Sequence, residues 1–162
     1  MLINRFAPYS LITKWVKGMT EKVDWQWVQK IFGYNENQME AIKKSPQHLK
    51  WIKAFPKLRK IRMVAEVVES RNCMAQLKKG DKYYFKWGGY VLDKSEGAEN
   101  VCLWAVSQLL PFYLMINDRV AEGLDPDDMI VNHVRCYDVG FRGHCGYGEV
   151  LMKVYAETKK TI

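Results

Sequence analysis

The pattern of apolar and polar positions changes about a third of the way along the chain. Before Pro56, apolar residues recur at helical spacing between capping and stop residues. Asp24, Asn35 and Ser45 are suitable N-caps, and Gly33 is suited to ending a helix. The pattern predicts short helices over residues 25–32, 36–44 and 47–54, and an earlier one from about Tyr9 to Lys17.

After Pro56 the pattern becomes that of strands. β-branched and aromatic residues partly alternate with polar ones over residues 61–69 and 82–87, and a short strand over 90–92 completes a hairpin across Gly88 and Gly89. A long apolar helix is predicted over residues 101–122, capped by Asn100, ended by Gly123 and kinked at Pro111. Two further strands are predicted over residues 129–136 and 149–157.

This order predicts an α+β fold. A helical N-terminal segment, residues 1–60, precedes a cysteine-containing α+β domain, residues 61–162. The order strand, strand, helix, strand, strand indicates a mainly antiparallel sheet with one long kinked helix packed on one face. A chain of 162 residues, 48% of them hydrophobic, is long enough to bury one sizeable core.

The positive charge is concentrated in the helical third. Residues 1–62 contain 13 Lys/Arg and 4 Asp/Glu, a formal charge of +9, whereas residues 63–162 carry −2. Basic residues are interleaved there with tryptophans, namely Trp15, Trp25, Trp27 and Trp51. Tryptophans at helical spacing favour core packing or docking of a protein partner, including a second copy in a homo-oligomer, over nucleic-acid binding.

The chain shows neither a secretory signal nor an apolar stretch long enough for a membrane span. We therefore expect a cytoplasmic protein without membrane association. Thiols stay reduced in that compartment, so the four cysteines are expected to be free thiols or metal ligands.

All four cysteines are predicted to lie at the ends of elements or in loops. These are Cys73, Cys102, Cys136 and Cys145. Together with His144 and His133 they offer soft ligands for zinc or an iron–sulfur cluster, although no Cys-x-x-Cys pair is present and the gaps are unequal. His133, on a strand, is the more ordinary packed or surface histidine.

Cys102 is the candidate nucleophile. If Asn100 is the N-cap, Cys102 is the second helical residue, where the helix dipole favours a thiolate. Asp138, His144 or Arg142 could assist a cofactor-free lyase or isomerase reaction. The structural alternative is a Cys102 that packs beneath the sheet.

A glycine-rich loop, residues 140–148, connects the last two predicted strands. It leads into a strand, so it lacks the helix N-terminus of phosphate-binding loops. Two interpretations remain open: a long hairpin loop, or a ligand-binding loop that presents Arg142, His144 and Cys145 to a small molecule.

Residues 61–157 resemble an uncharacterised family of small prokaryotic cysteine-containing α+β domains. The matching residues are Val67, Cys73 with Gly80 and Asp81, Cys102 with Ala105 and Pro111, and Cys136 with Asp138. The resemblance implies that Cys73, Cys102 and Cys136 are family positions and that Cys145 is an addition in a longer type with a helical extension. The commoner Pro-Ala-Gly-His run after the first cysteine is replaced here by Met74-Ala75-Gln76-Leu77, so this chain has no histidine in that run.

Three functional hypotheses follow. The first is a cysteine-lined metal or cluster site built from Cys73, Cys102, Cys136 and Cys145 in a component of anaerobic-type metabolism. The second is the lyase or isomerase that uses the Cys102 thiolate. The third is a non-catalytic subunit that docks a partner through its basic, tryptophan-rich helices.

Overall fold

The computed structural model describes residues 23–141 and 146–158. The chain divides between Lys53 and Ala54 into two compact units, which we call the helical unit and the sheet unit. The predicted helix over residues 9–17, together with Trp15, lies outside the described residues.

Three helices follow one another at the start of the described chain: α1, Trp25–Phe32; α2, Glu36–Lys44; and α3, Pro46–Leu58. The Asp24 carboxylate accepts from the Trp27 N–H at 3.0 Å and caps α1, and Gly33 ends it with φ +66°. Asn35 caps α2. The predicted helices are confirmed, but α3 continues past Ala54 and through Pro56, because Leu58 is anchored in the core of the sheet unit.

The helical unit has its own small core. Val28, Met39, Ile42 and Ile52 are buried together. Three tryptophans, Trp25, Trp27 and Trp51, are half-buried against this core. These rings therefore contribute to packing within the unit, which is the more ordinary of their predicted roles.

The sheet unit is built on five strands: β1, Ile61–Arg71; β2, Lys82–Lys86; β3, Val91–Leu92; β4, His133–Arg135; and β5, Glu149–Thr158. Their spatial order is β3-β2-β1-β5-β4, and every neighbouring pair is antiparallel. The predicted α+β class and the hairpin across Gly88 and Gly89 are confirmed.

The fourth strand is shorter than predicted. Residues 129–132 do not join the sheet, and Ile130 is fully exposed, so the apolar pattern there does not mark a buried face. The edge of β5 beyond β4 is instead paired by residues that precede β4: the Val154 N–H donates to the Asn132 carbonyl and the Ala156 N–H to the Asp127 carboxylate, each at 2.7 Å.

The predicted long helix is confirmed as one joined run from Leu103 to Glu122, within which a 3₁₀ turn separates two α-helical parts. Its parts are α4, Leu103–Val106; a 3₁₀ turn, Ser107–Leu109; and α5, Leu110–Glu122. Pro111 lies in the first turn of α5, where a missing N–H costs little. Asn100 is not the cap; its side chain donates to the Ala75 carbonyl, and Cys102 is the N-cap residue.

One face of the sheet forms the main core. Met63, Ala65 and Val67 of β1 and Val150, Met152 and Val154 of β5 lie beneath buried residues of the divided helix, which are Ala105, Leu109, Phe112, Tyr113, Ile116 and Val120. No helix in the described part of the chain is both long and apolar enough to traverse a bilayer.

Two neighbouring positions on α5 test this packing. Ile116 is fully buried, whereas Leu114 is 59% exposed. Ile116→Ala is expected to lower the free energy of unfolding by about 2–5 kcal/mol because it leaves a cavity, and Leu114→Ala by less than about 0.5 kcal/mol. Urea denaturation measures both, and equal losses would contradict the described face of α5.

Candidate functional site

A single cavity in the sheet unit brings together the three described cysteines. It has a volume of about 430 Å³, and we call it the thiol cavity. Its lining comprises Cys73, Met74, Ala75, Cys102, Trp104, Ala105, Cys136, Asp138, Tyr147, Gly148, Glu149 and Val150. The cysteines come from three separate parts of the chain: after β1, before α4 and after β4.

Cys136 is fixed by hydrogen bonds to the first part of β5. Its N–H donates to the Val150 carbonyl at 2.9 Å, and its Sγ accepts from the Val150 N–H at 3.3 Å. Burial raises the pKa of the Cys136 thiol. At neutral pH this group is therefore a neutral thiol that faces the cavity from the edge of the sheet.

Cys102 is positioned by the hydroxyl group of Tyr83. This oxygen accepts from the Cys102 N–H at 3.2 Å and donates to the Asn100 carbonyl at 3.1 Å. Burial raises the pKa of Tyr83, which keeps the hydroxyl protonated. Because Asn100 also donates to the Ala75 carbonyl at 3.1 Å, the Cys102 segment is tied to the loop that carries Cys73.

The position of Cys102 differs from the one predicted. It precedes the helix as its N-cap and makes no side-chain capping bond, and the helix that follows has only four residues. Cys102 therefore precedes the first helical turn and does not lie within that turn as the sequence predicted. A backbone bond from the Tyr137 N–H to the Trp104 carbonyl, 3.0 Å, instead holds this segment beside Cys136.

Asp138 closes the loop beside the cavity. Its Oδ1 accepts from the N–H groups of Gly140 and Tyr147 at 3.1 and 3.0 Å, and its Oδ2 accepts from Gly148 at 3.1 Å. Burial opposes ionisation of Asp138, but these three donors outweigh it and lower the pKa of the carboxyl group. We call this arrangement the Asp138 clamp.

The backbone around the clamp leaves room only for glycine at two positions. A Cβ at residue 146 would lie 2.3 Å from the Asp138 Oδ1, and one at residue 148 would lie 2.3 Å from the Asn72 carbonyl oxygen. Such contacts are shorter than any side chain tolerates. Two of the glycines in the predicted glycine-rich loop therefore serve close approach between backbone segments.

The cavity is mainly apolar, and its charged groups are already engaged. Asp138 is held by backbone amides, and Glu149 pairs with Arg71 at 3.4 Å and Arg135 at 3.1 Å. Two exposed aromatic side chains, Trp104 and Tyr147, lie in the lining. What remains to contact a ligand is sulfur, aliphatic carbon and aromatic surface.

The predicted site residues are placed as follows. Cys73, Cys102, Cys136 and Asp138 line the thiol cavity. Arg142, His144 and Cys145 lie outside the described residues, so the predicted ligand-binding loop stays a prediction. His133 is an exposed residue opposite Lys153 and is absent from the cavity lining, in keeping with a surface histidine.

A preformed metal site is not found in residues 23–141 and 146–158. Among them, no three His, Cys, Asp or Glu side chains are grouped so that they could hold one ion. The three thiols share a cavity but do not form a ligand cluster by themselves. Zinc or an iron–sulfur cluster would need a further ligand or a movement of the described thiols.

Sequence reasoning missed the contributions of Tyr83 and Trp104. Tyr83 lies in a predicted aromatic strand. A tyrosine on the buried face of a strand usually pairs its hydroxyl group, and this could have indicated a positioning role for Tyr83. Trp104 follows Cys102 by two residues, yet its apolar helical pattern indicated only core packing. In the structure its ring is half exposed and lines the thiol cavity.

Comparison with known proteins returned no matching family model, no similar curated protein and no similar solved structure. The resemblance to the family of cysteine-containing domains therefore stays a prediction. The chemistry of the site rests on its own residues.

The clamp makes a prediction about pH. Asp138→Asn removes one acceptor oxygen and the negative charge, so the variant is expected to melt at a lower temperature than the wild type at pH 7. Because the folded pKa of Asp138 is depressed, its contribution is complete above the unfolded pKa of about 3.9 and is lost as pH falls through the folded pKa. The difference in Tm should therefore shrink towards pH 2.

The control for this experiment is Glu99→Gln, which removes an exposed carboxylate elsewhere in the sheet unit. It should leave Tm unchanged at both pH values. A Tm difference for Asp138→Asn that is the same at pH 7 and pH 2 would contradict the clamp.

Proposed function

We propose that the sheet unit is a binding module whose thiol cavity holds a small, uncharged and largely apolar molecule. The observation that carries this proposal is the convergence of three thiols from three chain segments on one cavity of about 430 Å³. That volume lies within the range of small-molecule sites, about 300–1,000 Å³.

The preference for an uncharged ligand follows from the lining. The Asp138 carboxylate repels an anion, and the charge of Glu149 is offset by Arg71 and Arg135. Both carboxylates are held by hydrogen bonds or ion pairs, so neither is available to a cation without the loss of existing contacts. The thiols are weak hydrogen-bond donors and make favourable contacts with aromatic rings. A planar apolar ring between the sulfur atoms and Trp104 fits this chemistry.

The same geometry favours binding over proton transfer. Asp138 has both carboxylate oxygens engaged by backbone amides, and its lowered pKa makes it a weak base. Burial keeps the Cys136 thiol protonated. These two groups are therefore poor bases, while the lyase or isomerase hypothesis, which uses the Cys102 thiolate, stays a prediction.

The proposal predicts that toluene binds in the thiol cavity. Bound toluene should slow alkylation of Cys73, Cys102 and Cys136 by iodoacetamide, followed for each cysteine by mass spectrometry. Ala75→Leu adds volume to the lining and should weaken binding about tenfold, or about 1.4 kcal/mol, in calorimetric titration.

The matched control is Ala121→Leu, a half-buried position on α5 that is not part of the cavity lining. It should bind toluene like the wild type, with thermal melting as the check that each variant is folded. Alkylation rates that do not respond to toluene, together with no heat of binding, would overturn the proposal.

A second candidate function is the binding of a soft metal ion or cluster, and the shared thiol cavity is the observation that favours it. Thiolates are the ligands that zinc and iron–sulfur clusters prefer. This candidate assigns Cys73, Cys102, Cys136 and Cys145 as ligands and accords with the proposed resemblance to the cysteine-containing family. A reducing cytoplasmic location, also proposed here, would keep these thiols available.

Cobalt(II) titration under anaerobic conditions tests this candidate, because cobalt bound to thiolates gives intense charge-transfer absorption. We expect absorption that saturates at a stoichiometric amount of cobalt. It should be weaker in Cys136→Ser and in Cys145→Ser, and it should disappear when zinc displaces the cobalt. A titration without such absorption, with all thiols still reactive to a chromogenic disulfide, would exclude the candidate.

The helical unit is proposed to dock an acidic protein partner or a second copy of the chain. The concentration of positive charge in this part of the sequence supports the proposal. The tryptophans do not add to that support, because Trp25, Trp27 and Trp51 are half-buried within the unit. Such charge accelerates association more than it adds affinity.

A further inference from the structure

A second cavity of about 290 Å³ lies where β5 begins, beside the thiol cavity. Tyr147, Gly148 and Glu149 line both cavities. The other residues that line this second cavity include Arg71, Arg135 and Phe141, so its lining is charged and aromatic, unlike that of the thiol cavity. We call it the arginine cavity.

Two guanidinium groups meet at one carboxylate in this cavity. Arg71 Nη1 lies 3.4 Å from Glu149 Oε1, and Arg135 Nη1 lies 3.1 Å from Glu149 Oε2. Strand register brings the two arginines to this carboxylate. Arg71 pairs directly with Glu149 across the β1–β5 ladder, and Arg135 pairs with Leu151, two residues along β5 from Glu149. Each oxygen of Glu149 thus faces a different arginine.

The two arginines of the lining keep hydrogen-bond donors beyond those that their carboxylate partners engage. Both arginines pair with Glu149, and Arg71 also lies 3.8 Å from the exposed carboxylate of Glu69, so two carboxylates match the two positive charges. A guanidinium group has five N–H donors in a planar fork, so each arginine retains donors after pairing with Glu149. The remaining N–H groups can therefore donate hydrogen bonds to one further carboxylate.

Two aromatic side chains complete the recognition surface. Phe141 is 86% exposed and Tyr147 is 69% exposed. Both line the arginine cavity, and exposed rings beside arginines offer stacking together with charge. A cavity of this size holds one ring with a short acidic group.

We propose that the arginine cavity binds a small monocarboxylate that carries a planar ring. Its carboxylate lies beside Glu149 and accepts from Arg71 and Arg135, while its ring packs on Phe141 and Tyr147. This site differs in ligand charge from the thiol cavity and does not require the thiol cavity to bind anything.

The test is calorimetric titration of the full chain with benzoate and with benzamide, which has the same shape without the charge. Benzoate is expected to bind more tightly than benzamide by about fivefold or more, a ratio typical of a charge-assisted bond to partly exposed arginines. High salt should reduce this ratio.

Two variants locate the binding. Arg135→Gln removes one guanidinium while Arg71 still pairs with Glu149, and it should reduce the benzoate preference to less than about twofold. Lys79→Gln removes an exposed charge that is not part of either lining and should leave benzoate affinity unchanged. Thermal melting shows whether each variant is folded.

Three results would overturn the proposal: no benzoate binding, equal affinity for benzoate and benzamide, or a benzoate preference that persists in Arg135→Gln. Tighter binding of phenyl phosphate than of benzoate would overturn the assignment of a carboxylate. Toluene protection of the cysteines is measured separately, so failure at the arginine cavity and failure at the thiol cavity are distinguishable.

Discussion

The long antiparallel ladder between β1 and β5 is the constraint on which the site depends. It runs from the pair Ile61 and Thr158 to the pair Arg71 and Glu149, with a bulge between Val67 and Glu69. Because β1 ends beside the start of β5, the loop that carries Cys73 lies next to the first residues of β5. β4 then adds Cys136 beside Val150 on the other side of β5. Strand pairing thus brings together two thiols separated by 62 intervening residues.

The two cavities use opposite chemistry on the same short stretch of backbone. The Asp138 clamp holds Tyr147 and Gly148 in place, and Glu149 turns its carboxylate towards the arginines. Burial on the thiol side favours neutral groups, as the raised pKa of Cys136 shows. Exposure on the arginine side keeps charges solvated and available. A single chain segment therefore separates a mainly apolar cavity from one lined by paired arginines.

Much of the fold could be predicted because its signals are local. Asp24, Asn35 and Gly33 act as caps in the way their side chains and backbone freedom dictate, and alternation in β1 and β5 marks a sheet with one buried face. The division of the long helix was harder to predict. Pro111 marked the place, but the 3₁₀ turn over Ser107–Leu109 depends on how the helix packs against the sheet.

The site could be predicted only in part. Cysteines at the ends of elements indicated a shared location, and three of them line one cavity. The role of Asp138 could not be read from its type, because the three amides that engage it come from both ends of a loop. Asn100 resembled an N-cap in sequence, yet its side chain binds the Ala75 carbonyl, a contact between residues 25 positions apart.

Diffraction from crystals of the protein under xenon pressure tests the thiol cavity most directly, because xenon occupies apolar cavities of this kind. The account predicts a xenon peak bounded by the sulfur atoms of Cys73, Cys102 and Cys136. Well-ordered sulfur atoms that lie apart, each packed among aliphatic side chains and without xenon between them, would contradict it.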